Sequence, residues 1–279
     1  MNTRRRALVF APLLFVCALV TAAAQAPLAP PPVLTSEQME AFLLTGKVIA
    51  KKTTDKGVTK PVQATLSDGT IVHDAQIQAV DESKTIFQAG KATEVGFRDT
   101  YKFNVAGYRL ARILGLHTVP MSVARRIEGK NAAVTWWVDD VRMDEGGRIK
   151  KKVAAPDVDR LTKQLHVMRV WDELIQNRDR NTGNMLWTGD WTLWLIDHTR
   201  AFRVNDKLLK PEQLTRCDRS LLERLRQLSE ADMTEVARDG MLTRNEAAAV
   251  LKRRDVIVKL FEDQIARRGE AAVLFSLDS

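Results

Sequence analysis

Cysteine is nearly absent from this chain: Cys17 and Cys217 are the only two in 279 residues. Cys17 lies in an N-terminal stretch that reads as removable, which leaves one thiol and no intrachain disulfide. The four histidines, His73, His117, His166 and His198, are scattered and form no zinc-type set with Cys217. Beyond the N-terminal stretch no apolar run is long enough to span a bilayer. A glycine-rich phosphate loop is also missing, because Gly90 and Gly96 are too sparse to make one. These absences exclude a disulfide scaffold, a Cys/His metal centre and a polytopic membrane protein.

The N-terminus itself is patterned. Arg4-Arg5-Arg6 is followed by an apolar run from Ala7 to Ala22, then by the small residues Ala22-Ala23-Ala24. This is the pattern of a secretory signal peptide over residues 1–24, and it predicts an extracytoplasmic address, periplasmic or secreted. Thr3-Arg4-Arg5 also fits a twin-arginine start, and Val16 before Cys17 does not fit a lipoprotein anchor. Contact with a membrane is then transient, through the signal segment alone. Its removal takes away three arginines and no acid, which lowers the formal charge from +8 to +5. That mild basicity suits a nucleotide or another acidic ligand and does not call for nucleic acid.

Proline-rich residues 25–35 read as a linker, and Ser36 as the N-cap of a short helix ending before Gly46. Lys47 to Ala89 has strand character, with a turn at Ser67-Asp68-Gly69. Thr100 to Leu114 has a helical apolar face (Phe103, Ala106, Leu110, Ile113) stopped by Gly115. Two strands, 118–127 and 132–138, flank the turn Glu128–Asn131. Residues 139–157 are polar and read as irregular, beginning with a hinge. A helix over Asp159–Gln176 precedes a hairpin, Met185–Trp187 with Trp191–Ile196, and the rest is helical, with a capping box at Thr243-x-x-Glu246.

Chemistry is concentrated between the long helix and the end of that hairpin. Asn177-Arg-Asp179-Arg-Asn-Thr-Gly-Asn184 is followed thirteen residues later by Asp197, in Ile196-Asp197-His198. Asp179 leaves a helix end on a loop, where it could accept a hydrogen bond from a substrate hydroxyl. The hairpin returns Asp197 beside Asn184, and their oxygens are the hard donors that Mg²⁺ or Mn²⁺ takes. As turn residues alone, Asp and Asn would signify little; the order and spacing are those of a phosphoryl-transfer centre.

These two segments resemble the catalytic and metal-binding signatures of atypical kinases: the phosphatidylinositol 3-/4-kinase-like, HipA-like and secretory-pathway kinases. Tyr101-Lys-Phe-Asn-Val-Ala-Gly-Tyr-Arg-Leu-Ala-Arg-Ile-Leu-Gly-Leu, ending in Val119-Pro120, resembles their N-lobe helix, and the likeness covers about residues 70–205. It implies an α+β, bilobal protein-kinase-like fold, with a small β-rich N-lobe over 46–138 and a mostly helical C-lobe over 139–279. It implies ATP with Mg²⁺ or Mn²⁺ and a hydroxyl-bearing acceptor, protein, sugar or inositol lipid. Asp179 carries over as the catalytic residue, and Asn184 and Asp197 as metal and nucleotide ligands. Trp137, at the hinge edge, is the candidate for packing against adenine.

Two positions depart from the pattern. Asn104 stands where such helices carry Glu, and the strand His73-Asp-Ala-Gln-Ile-Gln78-Ala-Val lacks the partner Lys. Lys84, Lys91, Arg98 and Lys102 are the nearby cations, with Lys102 as the candidate phosphate contact or else part of a solvated helix face. Two readings follow: an exported ATP-dependent phosphotransferase, or a kinase-fold binding or regulatory module without turnover. A nucleotidyl transferase on the same fold is a variant of the first.

Overall fold

In the computed structural model, residues 34–53, 62–89 and 92–277 are described, so the expected signal segment and the linker up to Val33 lie outside the described residues. Helix α1 (Ser36–Thr45) is the first element among the described residues. Its cap is Thr35, one residue earlier than the sequence suggests, because Thr35 and Gln38 form the reciprocal capping box while Ser36 is already helical. Phe42 and Leu43 of α1 are buried on the first sheet, where each contributes roughly 2–3 kcal/mol of apolar burial.

That sheet contains β1 (Lys47–Thr53), β2 (Val62–Ser67), β3 (Val72–Gln78), β6 (Ser122–Ile127) and β7 (Lys130–Trp136) in the order β1-β2-β3-β7-β6, with every neighbouring pair antiparallel. Between β3 and β6 come a separate two-stranded ribbon, β4 (Asp81–Ala89) with β5 (Ala92–Thr100), and helix α2 (Lys102–Ile113). The β6–β7 turn is only Glu128-Gly129, both at positive φ (49° and 80°), while Lys130 and Asn131 are already paired with Ile127 and Arg126. The right-handed twist of the strands favours such a turn, and Gly129 meets its backbone demand without strain.

Residues 139–157 are more ordered than their polar composition suggests. Val141–Asp144 forms β8, which pairs with β9 (Met185–Thr188), itself paired with β10 (Leu193–Leu195). Helix α3 (Glu145–Lys150) follows. Buried Glu145 accepts from Arg148 at 2.6 and 2.8 Å and from the Trp187 indole at 2.7 Å. Burial pushes its pKa up, but these donors outweigh burial and leave it lowered. The basic stretch around 148–152 is thus divided: Arg148 is tied inward, and Lys150, Lys151 and Lys152 are exposed.

Helix α4 (Val158–Ile175) starts at the Asp157 cap and ends at Gln176, whose left-handed φ of 50° turns the chain out of the helix. The helix-rich half is completed by α5 (Arg219–Gln227), α6 (Glu230–Ala237) and α7 (Arg244–Arg268), the last opened by the expected capping box. Its core joins Val170, Trp171 and Leu174 of α4 to Leu222, Val250, Ile257 and Phe261, and reaches Phe103 and Leu110 of α2. Arg253, fully buried, donates to the carbonyls of Leu174 and Arg203, each at 2.8 Å. Burial lowers its pKa to about 10, which leaves it charged at neutral pH. The result is an α+β, bilobal arrangement: a sheet-rich half followed by a helix-rich one. Among the described residues no helix is long and apolar enough to cross a membrane.

Candidate active site

The loop leaving α4 is shaped by its own side chains. Asn177 Oδ1 accepts from Asp179 N at 3.1 Å, and Asn181 Oδ1 accepts from Gly183 N at 2.9 Å. Both are turn devices that Asn makes readily. They present Asp179 to the cleft and return the chain so that Asn184 Nδ2 donates to the Asp179 carbonyl at 3.3 Å. Ile196 N then donates to Asn184 O at 3.1 Å, which sets Asp197 next to Asn184. Asp197 has φ 55°, a left-handed conformation that costs a non-glycine residue about 1 kcal/mol or more. Such strain persists only where neighbours hold it.

Arg180 supplies much of that hold. Its guanidinium pairs with Asp172 (2.9–3.2 Å) and donates to the carbonyls of Asn184 (3.0 Å) and Ile196 (2.9 Å). Its Nη2 also reaches His198 Nε2 at 3.1 Å, as does the Trp171 indole N–H. Arg and Trp side chains only donate, so Nε2 carries a lone pair and His198 is a neutral imidazole protonated at Nδ1. Burial holds its pKa well below the usual histidine range, and the Arg180 charge adds to that. His198 is therefore a buried acceptor that orients the loop.

The Asp179 carboxyl is half exposed, with Arg200 3.9 Å away. Burial raises its pKa, Arg200 opposes the rise, and nearby Asp197 adds to it. A carboxylate shifted this way is a better acceptor for a hydroxyl proton.

The opposite wall is uncharged. Asn104 of α2, a departing position, and Gln78 of β3, the strand that lacks the Lys, are both buried and face each other: Asn104 Nδ2 donates to Gln78 Oε1 at 2.7 Å. Gln78 Nε2 in turn donates to Asp197 Oδ1 at 3.4 Å, and Asn104 Oδ1 accepts from His198 N at 2.8 Å. An amide pair thus joins the helix that lacks the Glu to the strand that lacks the Lys, and it is hydrogen-bonded to the Asp197 loop. Behind Asp197 lies a cavity of about 10 Å³, large enough for one water. Gln76, Asn104, Ser122, Thr135, Asp197 and His198 give it a polar wall.

The remaining candidates lie at the margins. Lys102, at the start of α2, pairs with Asp81 of β4 at 3.4 Å. Trp137 is half-buried, and its backbone N–H donates to Asp74 O at 3.1 Å. Trp136 is stacked on His73 at 3.7 Å, while Trp171 and Trp187 are core residues with bonded indoles. Arg180 is absent from the sequence-level set, although it sits inside the motif; its signal is a cation between two functional positions, eight residues after an acid in a helix. Among the described residues no three His, Cys, Asp or Glu side chains make a preformed metal centre. Asp197 and Asn184 offer two hard oxygen donors, and phosphate and water would have to complete a shell.

Solved structures share this architecture. The structure of hydra Fam20 with sugar superposes with a TM-score of 0.66 at 15% identity, covering 86% of this chain and 92% of that one. The Golgi casein kinase with Mn/ADP bound gives 0.60 at 15% identity, covering 85% and 78%. The chain has a kinase-like fold. At such identity the likeness establishes the fold, and the site must be argued from its own residues. No protein-family model and no curated protein sequence matches the chain.

Proposed function

We propose that this protein is an exported, kinase-like phosphotransferase that moves the γ-phosphate of ATP to a hydroxyl acceptor with the help of Mg²⁺ or Mn²⁺. The observation that carries the reading is the convergence of Asp179, Asn184 and Asp197 on one edge, with Arg180 bonded to the backbone beside two of them. Asp179 orients the acceptor hydroxyl and takes its proton; Asp197 and Asn184 would hold the ion. When bound, the ion would supply charge neutralisation on the phosphate oxygens. The protein's own contribution is positioning: the Arg180 clamp, the neutral His198 and the amide pair fix the Asp197 loop before anything binds. Mn/ADP in the Golgi casein kinase structure supports a nucleotide with a divalent metal here. The lobes divide at 138/139, with Trp137 at the edge where adenine would pack and Lys102 on the phosphate side. Export rests on the N-terminal pattern of residues 1–24.

A second reading, a kinase-fold binding module without turnover, is favoured by one observation: Gln78 and Asn104 provide no cation for the phosphates. The two readings separate in one experiment. The purified chain is incubated with γ-labelled ATP and Mn²⁺ or Mg²⁺, and nucleotide binding and label transfer are compared with Asp197→Ala. Transfer lost in the variant supports the phosphotransferase; binding without transfer supports the module; neither binding nor transfer in the wild type overturns both.

A further inference from the structure

Asp99 ends the ribbon that precedes α2, in a stretch where sequence alone shows no functional signal. The next residue, Thr100, donates its N–H to Thr199 O at 3.0 Å, which lays the end of β5 against the Asp197 loop. On the other side of Asp99 in the same strand, Arg98 pairs with buried Glu246 at the start of α7. Asp99 is therefore held in place by bonds on both sides.

Its surroundings are electrostatically unbalanced. Asp99 Oδ1 is buried and has no hydrogen-bond partner. The Asp197 and Glu82 carboxylates and the Arg200 guanidinium are the charges that act on it. The Thr199 hydroxyl donates to Asp197 Oδ1 at 3.0 Å and also faces Asp99. A hydroxyl has one hydrogen, so it satisfies one of the two carboxylates at a time. Leaving a buried charged acceptor unmet is costly. Arg200 is shared with Asp179 and lies over the Phe97 ring at 5.1 Å. A divalent cation satisfies two carboxylates at once, and carboxylate, hydroxyl and amide oxygens are the hard donors it takes.

We propose that Asp99 is the ribbon's contribution to the divalent-cation site, alongside Asp197 and Asn184. The inference rests on reading Asp197 and Asn184 as metal ligands, and it adds a consequence. With Gln78 and Asn104 neutral, the carboxylates make this end of the cleft anionic. Phosphate enters it only together with the ion, so nucleotide binding depends on the metal throughout.

The test uses Mn²⁺ binding to the full chain without turnover, read by the electron paramagnetic resonance of free Mn²⁺ and by calorimetry. The variants are Asp99→Asn, Asp99→Ser, Asp197→Asn and, as an exposed control on the same ribbon, Glu82→Gln. Both Asp99 variants are expected to weaken Mn²⁺ binding by about tenfold or more, on the scale of losses at metal-site neighbours. Glu82→Gln is expected to bind as wild type does, and ADP to bind wild type only when Mn²⁺ is present. Thermal melts in chelator establish folding independently: with its unpartnered carboxylate removed, Asp99→Asn melts no lower than wild type. Wild-type Mn²⁺ affinity in a folded Asp99 variant, alongside loss in Asp197→Asn, overturns this inference and leaves the site reading standing. No Mn²⁺ binding by wild type, or unchanged binding in Asp197→Asn, overturns both.

Discussion

Arg180 holds the Asp179–Asn184 loop through a buried ion pair to Asp172, two backbone carbonyls and the neutral His198 ring. Across the cleft, Gln78 and Asn104 hold the same Asp197 loop with amide hydrogen bonds and no charge. Both walls are pre-organised, but only one of them by charged side chains. Two amides exchange hydrogen bonds at little desolvation cost, whereas burying an ion pair is expensive unless both partners are well satisfied. An uncharged wall can therefore fix geometry while contributing no attraction for phosphate. On the proposed function the walls supply positioning, and the phosphate affinity comes from the ion.

Removing the charged clamp should have the largest effect. In Arg180→Met, Asp172 loses its partner in a largely buried setting, and His198 and two carbonyls lose a donor. Stability should fall by about 3–5 kcal/mol in urea unfolding, the range for breaking one side of a buried pair. Label transfer should fall by about 100-fold or more, because a loop displaced by an ångström loses alignment. Arg180→Lys should recover little, since an ammonium cannot reproduce the planar fork. Near-wild-type stability and transfer in Arg180→Met would show that the clamp is incidental, and the contrast between the walls would collapse.

The uncharged wall invites the opposite manipulation. Asn104→Glu alone buries an unpaired carboxylate beside Gln78 and Asp197 and should cost about 3 kcal/mol. Adding Gln78→Lys supplies its partner. The double variant should then be more stable than the sum of the singles predicts, by about 1–3 kcal/mol of coupling. The same double variant should bind ADP more tightly than wild type does at low metal, because the wall gains a cation. Additive energies would mean that the two side chains do not face each other in solution.

Much of this was legible in advance wherever local chemistry decides the structure. The apolar face of α2, the Thr243 capping box and the Asn-rich turns around Asp179 act over three or four residues, so their outcome follows from the residues themselves. Strand character was read only as far as Ala89, which takes in β4, so β5 and Asp99 with it were left unassigned. Strand β8 is visible only once β9 is there to pair with it, and Glu145 at the start of α3 is explained only by Arg148 and the distant Trp187. Asn104 and the missing strand Lys were noticeable as departures, but the hydrogen bond from Asn104 to Gln78 spans 26 residues and needed the fold.

The smallest predicted effect tests the join between the walls, where His198 N meets Asn104 and His198 Nε2 meets Arg180. The native ring is held neutral, by burial first and then by the Arg180 charge. In the unfolded chain it gains a proton below about pH 6.5, so the unfolded state binds more protons there and stability falls as pH drops through that window. One proton contributes about 1.4 kcal/mol per pH unit at full slope. His198→Gln keeps a side-chain oxygen to accept from Arg180 and Trp171 but cannot titrate. Between pH 7.5 and 5.5, wild type should therefore lose about 1.4 kcal/mol more than the variant in urea unfolding, while label transfer by the variant at pH 7.5 stays within a few-fold of wild type. Equal losses would mean that the ring reaches solvent or protonates in the native state, and that the two walls meet less tightly at His198 than its hydrogen bonds indicate.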